Sequence, residues 1–236
     1  MVKFRVLGVV AAVAWVVFGI TLVIRLMAGN GGLLAAEMLR EAPPEVSGLP
    51  AADYPGVGAM TAEYLTGKRD VFQYVAAYGT REGACARTEV FQEHEAAHMA
   101  DCRELIRLDT AVCVISGVLA ALAAALGLFR RNGRAPFVQG ILWGLRIFLI
   151  IALALLIWAL IDFDGLFVTF HRVAFTNDGW LLNPRTDMLI RLMPETFFIR
   201  LGIRGAVLAA LFPLVLWAGA RISRRRMKKT EDREPV

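Results

Sequence analysis

Histidine and cysteine are scarce in this chain, and serine is nearly missing from its polar segments. Among 236 residues there are three histidines and three cysteines. Cys85, Cys102 and Cys113 follow no metal-ligand spacing, which argues against a zinc ribbon or finger. Cys113 lies inside an apolar run and reads as a buried small residue. Cys85 and Cys102 share one polar segment, where a disulfide is permitted but not fixed by spacing. Ser47 is the single serine of the two long polar segments and has no motif around it, which disfavours a serine nucleophile. Internal repeats and low-complexity stretches are also missing.

Charge is sparse as well, over four long runs: about Phe4–Met27, Leu108–Phe129, Phe137–Ile161 and Phe198–Ala220. The chain is 57% hydrophobic with a mean hydropathy of +0.56, too apolar for an ordinary soluble domain. Each run reaches the roughly 20 residues that a helix needs to cross the hydrocarbon core. Helices satisfy every backbone group there internally. The first run is too long for a signal peptide and lacks a small-residue cleavage site, so it reads as an uncleaved anchor.

The net charge of +5 is not a nucleic-acid signal, because the bases are sorted by position. Lys3 and Arg5 open the chain. Arg130, Arg131 and Arg134 occupy the turn between the second and third runs. Arg221, Arg224, Arg225, Arg226, Lys228 and Lys229 follow the fourth. The two remaining segments carry more acids than bases. This is the positive-inside pattern, and it assigns both termini to the cytoplasm. The expected fold is therefore a mainly α membrane protein, a four-transmembrane-helix bundle with an extracytoplasmic cap formed by the first and third loops. The expected division is 1–28 first span, 29–107 cap segment, 108–161 second and third spans with a basic turn, 162–197 second outer segment, 198–220 fourth span, and 221–236 basic tail.

In the first outer segment, the Pro- and Gly-broken stretch from Glu41 to Gly58 reads as turns. A helical piece is expected around Thr61–Leu65, and a short strand or helix over Val71–Tyr78. Thr88–Arg107 has helical apolar spacing and runs towards the second span, as a helix that either continues into the membrane or kinks just above it. In the second outer segment, Asn177-Asp178-Gly179 and Asn183-Pro184 are turn signals. Trp180, Phe197 and Phe198 suit a membrane–water interface. Arg146, deep in the third run, either has a function or snorkels to the nearer face.

All three histidines, His94, His98 and His171, fall in the outer segments, where imidazole suits proton transfer near neutral pH. His94-Glu95-Ala-Ala-His98 matches the H-E-x-x-H pattern of zinc metalloproteases, with His171 or Glu195 as a third ligand. Asp101 and Asp178 are candidates to orient a histidine ring, and Asn177 is a candidate hydrogen-bond donor.

Two blocks carry a resemblance. His98-Met99-Ala100-Asp101, and His171 followed by Asn177-Asp178-Gly179-Trp180-Leu-Leu-Asn183-Pro184, Asp187, Pro194-Glu195 and Phe197-Phe198, resemble the bacterial lipoprotein intramolecular transacylases. These are four-span proteins with a long first outer loop. His94 falls outside that pattern, which makes the zinc match accidental. The resemblance implies transfer of the sn-2 acyl chain of a diacylglyceryl lipoprotein to the α-amino group of its N-terminal cysteine, giving the lyso-form. It implies His98 and His171 as catalytic residues, with no cofactor and no metal. Asp101, Asn177, Asp178 and Trp180 are implied as supporting or oxyanion-orienting groups, and Asn183, Asp187 and Glu195 as substrate contacts. The implied partners are diacylglyceryl lipoproteins in the outer leaflet of the bacterial cell membrane, and membrane lipid. Which histidine is the base stays open. A thioester on Cys85 or Cys102 is the competing route to direct aminolysis.

Overall fold

A computed structural model describes residues 2–79, 85–129 and 133–231, with backbone only for 77–79, 85–86 and 228–231. In chain order the elements are α1 (Val2–Ala28), α2 (Gly31–Glu41), α3 (Pro44–Ser47), a 3-10 turn (Ala51–Asp53), α4 (Tyr54–Leu65), β1 (Val75–Gly79), β2 (Cys85–Glu89), α5 (Glu93–Phe129), α6 (Arg134–Ile161), α7 (Phe163–Ala174), α8 (Met188–Leu192) and α9 (Glu195–Glu231). Helices α1, α5, α6 and α9 are long and apolar enough to cross a membrane, as the four runs require.

The chain divides into two compact units. One comprises Met1–Val23, Thr110–Phe163 and Ala206–Val236. Its helices pack through small residues, as expected where lipid removes the usual hydrophobic drive between helices. A Cβ on Gly140 would stand 3.0 Å from the Gly8 Cα, and one on Gly144 2.8 Å from the Ala12 Cβ, so α1 and α6 approach backbone to backbone. Phe137, Val138 and Ile141 fill the space around Ala11, Ala12 and Val16. The Trp15 indole donates to the Phe212 carbonyl at 2.9 Å, giving a ring inside the apolar unit its polar partner. The outward faces of α6 and α9 carry Ile150, Ile151, Leu211 and Leu214, all more than half exposed, as suits hydrocarbon. Arg146 lies over the Trp143 ring, its guanidinium carbon 5.0 Å from the ring centre.

The other unit comprises Ile24–Asp109 and Asp164–Gly205. Its core gathers Met38, Leu49, Tyr54, Val57, Met60, Phe72, Phe91, Leu192 and Phe197. Several expectations change here. The opening stretch is helical rather than a run of turns: Pro55 sits in the first turn of α4, where its missing N–H costs nothing. Gly58 lets α4 close on α2, since a Cβ there would come within 2.7 Å of Ala35 Cβ. The segment after Asp162 begins with the helix α7 rather than a loop. Phe197 is a core residue, 1% exposed, and not an interface aromatic. Of the short strand or helix expected over Val71–Tyr78, the strand is found: β1, paired antiparallel with β2 from Val75↔Glu89 to Gly79↔Cys85.

Two polar clasps hold this unit. Glu37, 1% exposed, receives Arg200 Nε at 2.7 Å and Arg204 at 2.5 Å, and Arg200 also reaches Glu41 at 3.1 Å. These pairs tie α2 to the start of α9. Asp187, also buried, accepts the Asn183 N–H at 2.8 Å, the Thr186 hydroxyl at 2.6 Å and His94 Nε2 at 3.1 Å. Burial raises its carboxyl, but those bonds outweigh it and leave the group below the usual range. The basic residues Arg130 and Arg131 lie outside the described residues.

Candidate functional site

The polar part of α5, Glu93–Arg107, precedes the apolar run from Leu108 in one unbroken helix. Glu95 fixes its start. Its carboxylate accepts the Gln92 N–H at 2.7 Å, closing the first turn from the third helical position. Its other oxygen accepts the Leu189 N–H at 2.6 Å. One turn further on, this helix presents His98, Asp101 and Cys102.

His171 comes from the last turn of α7. A ring nitrogen, Nδ1, stands 2.8 Å from the Phe167 carbonyl oxygen one turn back. A carbonyl has no proton, so Nδ1 donates, and neutral His171 keeps its lone pair on Nε2. Phe167 also packs on the ring, centroids 4.2 Å apart. Trp180 covers the ring at 5.0 Å and 37°.

The two rings face each other with centroids 6.3 Å apart. Each residue is 8% exposed. Phe175, itself buried, touches both, at 5.1 Å from His98 and 5.6 Å from His171. Burial pushes His98 below its ordinary value, and the nearby His171 pushes it further, against the pull of Asp101. Burial likewise lowers His171, against its bond to Phe167. Both rings are therefore neutral at neutral pH, ready to accept or share a proton. His98 Nε2 lies 3.6 Å from the Cys102 sulfur, and its Nδ1 is buried with no partner among the described residues.

The remaining expected residues divide clearly. Asn177 Nδ2 donates to Asp101 Oδ2 at 3.0 Å, and its own oxygen takes the Gly179 N–H at 2.9 Å. Asp101 thus anchors the loop after α7 to α5 and hydrogen-bonds neither ring. Asp178 is exposed, and the ring hydrogen bonds of His98 and His171 go to Cys102 and Phe167. The orienting acceptor for His171 is the Phe167 carbonyl instead. Asn183 closes its own turn through the Arg185 N–H at 3.0 Å, and Asp187 is occupied by the clasp described above. Asn183 is exposed with its amide nitrogen outside that bond, whereas both oxygens of Asp187 are taken. Glu195 is exposed at the start of α9.

Cys102 carries a free thiol, and the Cys85 side chain lies outside the described residues. Burial pushes the Cys102 thiol up to about 12, and the charge of Asp101 acts the same way. A thiol so held is a poor nucleophile. The H-E-x-x-H match also comes apart. Glu95 is 0% exposed with both oxygens on backbone N–H groups, and His94 is turned to Asp187. That glutamate is in no position to activate a water.

The fold and this centre define a four-span helical membrane protein with a paired-histidine site. The family model for lipoprotein intramolecular transacylase Lit matches residues 9–198, and the chain belongs to that family. The structure of the membrane integral Lit from Bacillus cereus is similar at a TM-score of 0.75, with 18% identity over 96% of this chain and 98% of that one. A histidine-to-arginine variant of the same protein gives 0.69 and 17% over 97% and 94%, and a histidine-to-alanine variant 0.70 and 18% over 96% of each. At such identity these likenesses concern the fold. Among curated protein sequences, none matches the chain.

Proposed function

We propose that this chain transfers the sn-2 acyl group of a diacylglyceryl lipoprotein to the α-amino group of the same molecule's N-terminal cysteine. The observation that carries the reading is the pair of buried, neutral histidines facing one another, one of them with a fixed tautomer.

The reaction needs three things that the pair supplies. The amine attacks the ester carbonyl and must lose a proton, which His171 Nε2 accepts. The carbonyl oxygen becomes an oxyanion and needs a donor, which His98 provides from the opposite side. The glycerol oxygen leaves and takes the proton from His171, so an ester and an amine become an amide and an alcohol. Ester and amine belong to one molecule, so much of the barrier is met by holding them in attack geometry. The two acyl chains keep the substrate in the bilayer at about 0.8 kcal/mol per CH₂, which suits an enzyme whose His98 lies on the same helix as the apolar run from Leu108.

The charge pattern supports a site on the extracytoplasmic side of the bacterial cell membrane, with both termini cytoplasmic. On that reading, 29–107 and 162–197 form the outer cap, and the partners are outer-leaflet lipoproteins rather than nucleic acid. The experiment is mass spectrometry of a reporter lipoprotein's N-terminal peptide in cells lacking other N-acylating activity. Appearance of the lyso-form with wild type supports the reading, and an unchanged diacylglyceryl form despite expression sinks it.

A further inference from the structure

Cys102 follows His98 by one helical turn, so the two side chains lie on one face of α5. The thiol sulfur is 3.6 Å from Nε2 of His98, within reach of a sulfur hydrogen bond. The other ring nitrogen, Nδ1, is buried and has no hydrogen-bond partner among the described residues. His98 as a whole is 8% exposed. The ring is held at one nitrogen by sulfur, and the other is enclosed and unpaired among the described residues.

We propose that Cys102 is a positioning residue for the acyl transfer: its S–H donates to Nε2 of His98 and keeps the ring's single proton on Nδ1, where it meets the oxyanion. The inference rests on the transacylase reading and deepens it.

The chemistry runs one way. Neutral imidazole has one N–H and one lone pair, and thiol sulfur is a weak acceptor. Imidazole nitrogen is the better acceptor of the two, so the bond favours S–H to nitrogen over N–H to sulfur. Burial holds Cys102 in its thiol form, so the proton is there to donate. The lone pair of His98 then sits on Nε2 and the proton on Nδ1. A buried N–H without an acceptor is unfavourable, and a developing oxyanion is an acceptor. His171 offers the reverse, with Nδ1–H tied to the Phe167 carbonyl and the Nε2 lone pair open. Two identical side chains thereby acquire different roles, base and donor, because their neighbours differ.

The test is ¹⁵N NMR of the histidine-labelled full-length protein in detergent at mildly alkaline pH. It distinguishes a ring protonated on Nδ1 from one protonated on Nε2. With three histidines in the chain, His94→Ala and His171→Ala assign the signals. His98 is expected on the Nδ1–H form in wild type and Cys102→Ser, and displaced towards Nε2–H in Cys102→Ala. In the acyl-transfer assay, Cys102→Ala should lower kcat roughly three- to ten-fold with KM unchanged, as for loss of one neutral hydrogen bond, and Cys102→Ser should restore it. A wild-type His98 protonated on Nε2 overturns the proposal, and that spectrum decides even if Cys102→Ala does not fold. So does a Cys102→Ala protein with an unchanged tautomer, or a Cys102→Ser enzyme as slow as Cys102→Ala. A wild type with the Nδ1 form that never acylates the reporter would overturn the transacylase reading, and the positioning role with it, while the Cys102–His98 bond stands.

Discussion

His98 and His171 are the same side chain in two settings, and their settings separate their work. On the proposed mechanism, replacing His171 with alanine removes the base and should cost about 10²–10⁴-fold in acyl transfer. His98→Ala removes the oxyanion donor and should cost about 10²–10³-fold. His94→Ala should transfer acyl groups like wild type, since its ring serves Asp187; comparable kinetics for all three variants would contradict this division. Burial lowers the affinity of both rings for protons, which fixes the sign of the pH dependence. The neutral base persists below the ordinary histidine value, so activity should hold down to about pH 6.5 and fall only below it. A profile that begins to fall well above that value would oppose the buried-base account. His98 and His171 stood out as candidates in the sequence because histidines are so few and because both motif blocks contain one, and the structure brings their rings together. Their orienting groups did not stand out. One is a backbone carbonyl, which leaves no trace in side-chain patterns, and the other is a cysteine that the sequence offers for a disulfide or a thioester.

The helices tell a similar story about what patterns reveal. The four long runs announced themselves by length and lack of charge; a helix before the second run was readable from its spacing, but it starts at Glu93 rather than Thr88, and its continuing without a kink was one of two expected outcomes. Helix α7 was hidden because Phe163, Phe167, Val168, Thr169, Phe170 and Val173 are aromatic or β-branched and weak helix formers, so packing rather than propensity sets it. The first half of helix α4 was hidden by Pro55, Gly56 and Gly58, which mark turns in most chains and here mark a helix start and a close helix contact, while its Thr61–Leu65 end was expected to be helical. Two buried carboxylates, Glu95 of the H-E-x-x-H match and Glu37, hold helices together. Glu95→Ala would leave the Gln92 and Leu189 N–H groups unpaired and should destabilise the fold by roughly 2–3 kcal/mol, read as a lower melting temperature in detergent. A zinc-protease role would instead remove activity while leaving the melting temperature in place. Glu37→Ala should lower stability by about 2 kcal/mol, less than for a fully buried pair because Arg200 and Arg204 reach solvent. Unchanged melting would show that the clasp between α2 and α9 is dispensable.

Taken together, the chain is a family member whose membrane spans and paired histidines suit a substrate that never leaves the lipid. The distribution of bases predicts that trypsin added to intact spheroplasts leaves the Arg221–Lys229 region uncut and cleaves it in inverted vesicles. Cleavage from outside would reverse the topology and move the histidines to the wrong face for a lipoprotein in the outer leaflet. The central claim is that two neutral histidines drive direct acyl transfer from glycerol oxygen to the cysteine amine. Its most direct test is mass spectrometry of the reporter lipoprotein's N-terminal peptide with wild type, His94→Ala, His98→Ala and His171→Ala. The account predicts the N-acylated lyso-form with wild type and His94→Ala, and the untouched diacylglyceryl form with the other two. Lyso-form made by His98→Ala or His171→Ala at wild-type levels would contradict it.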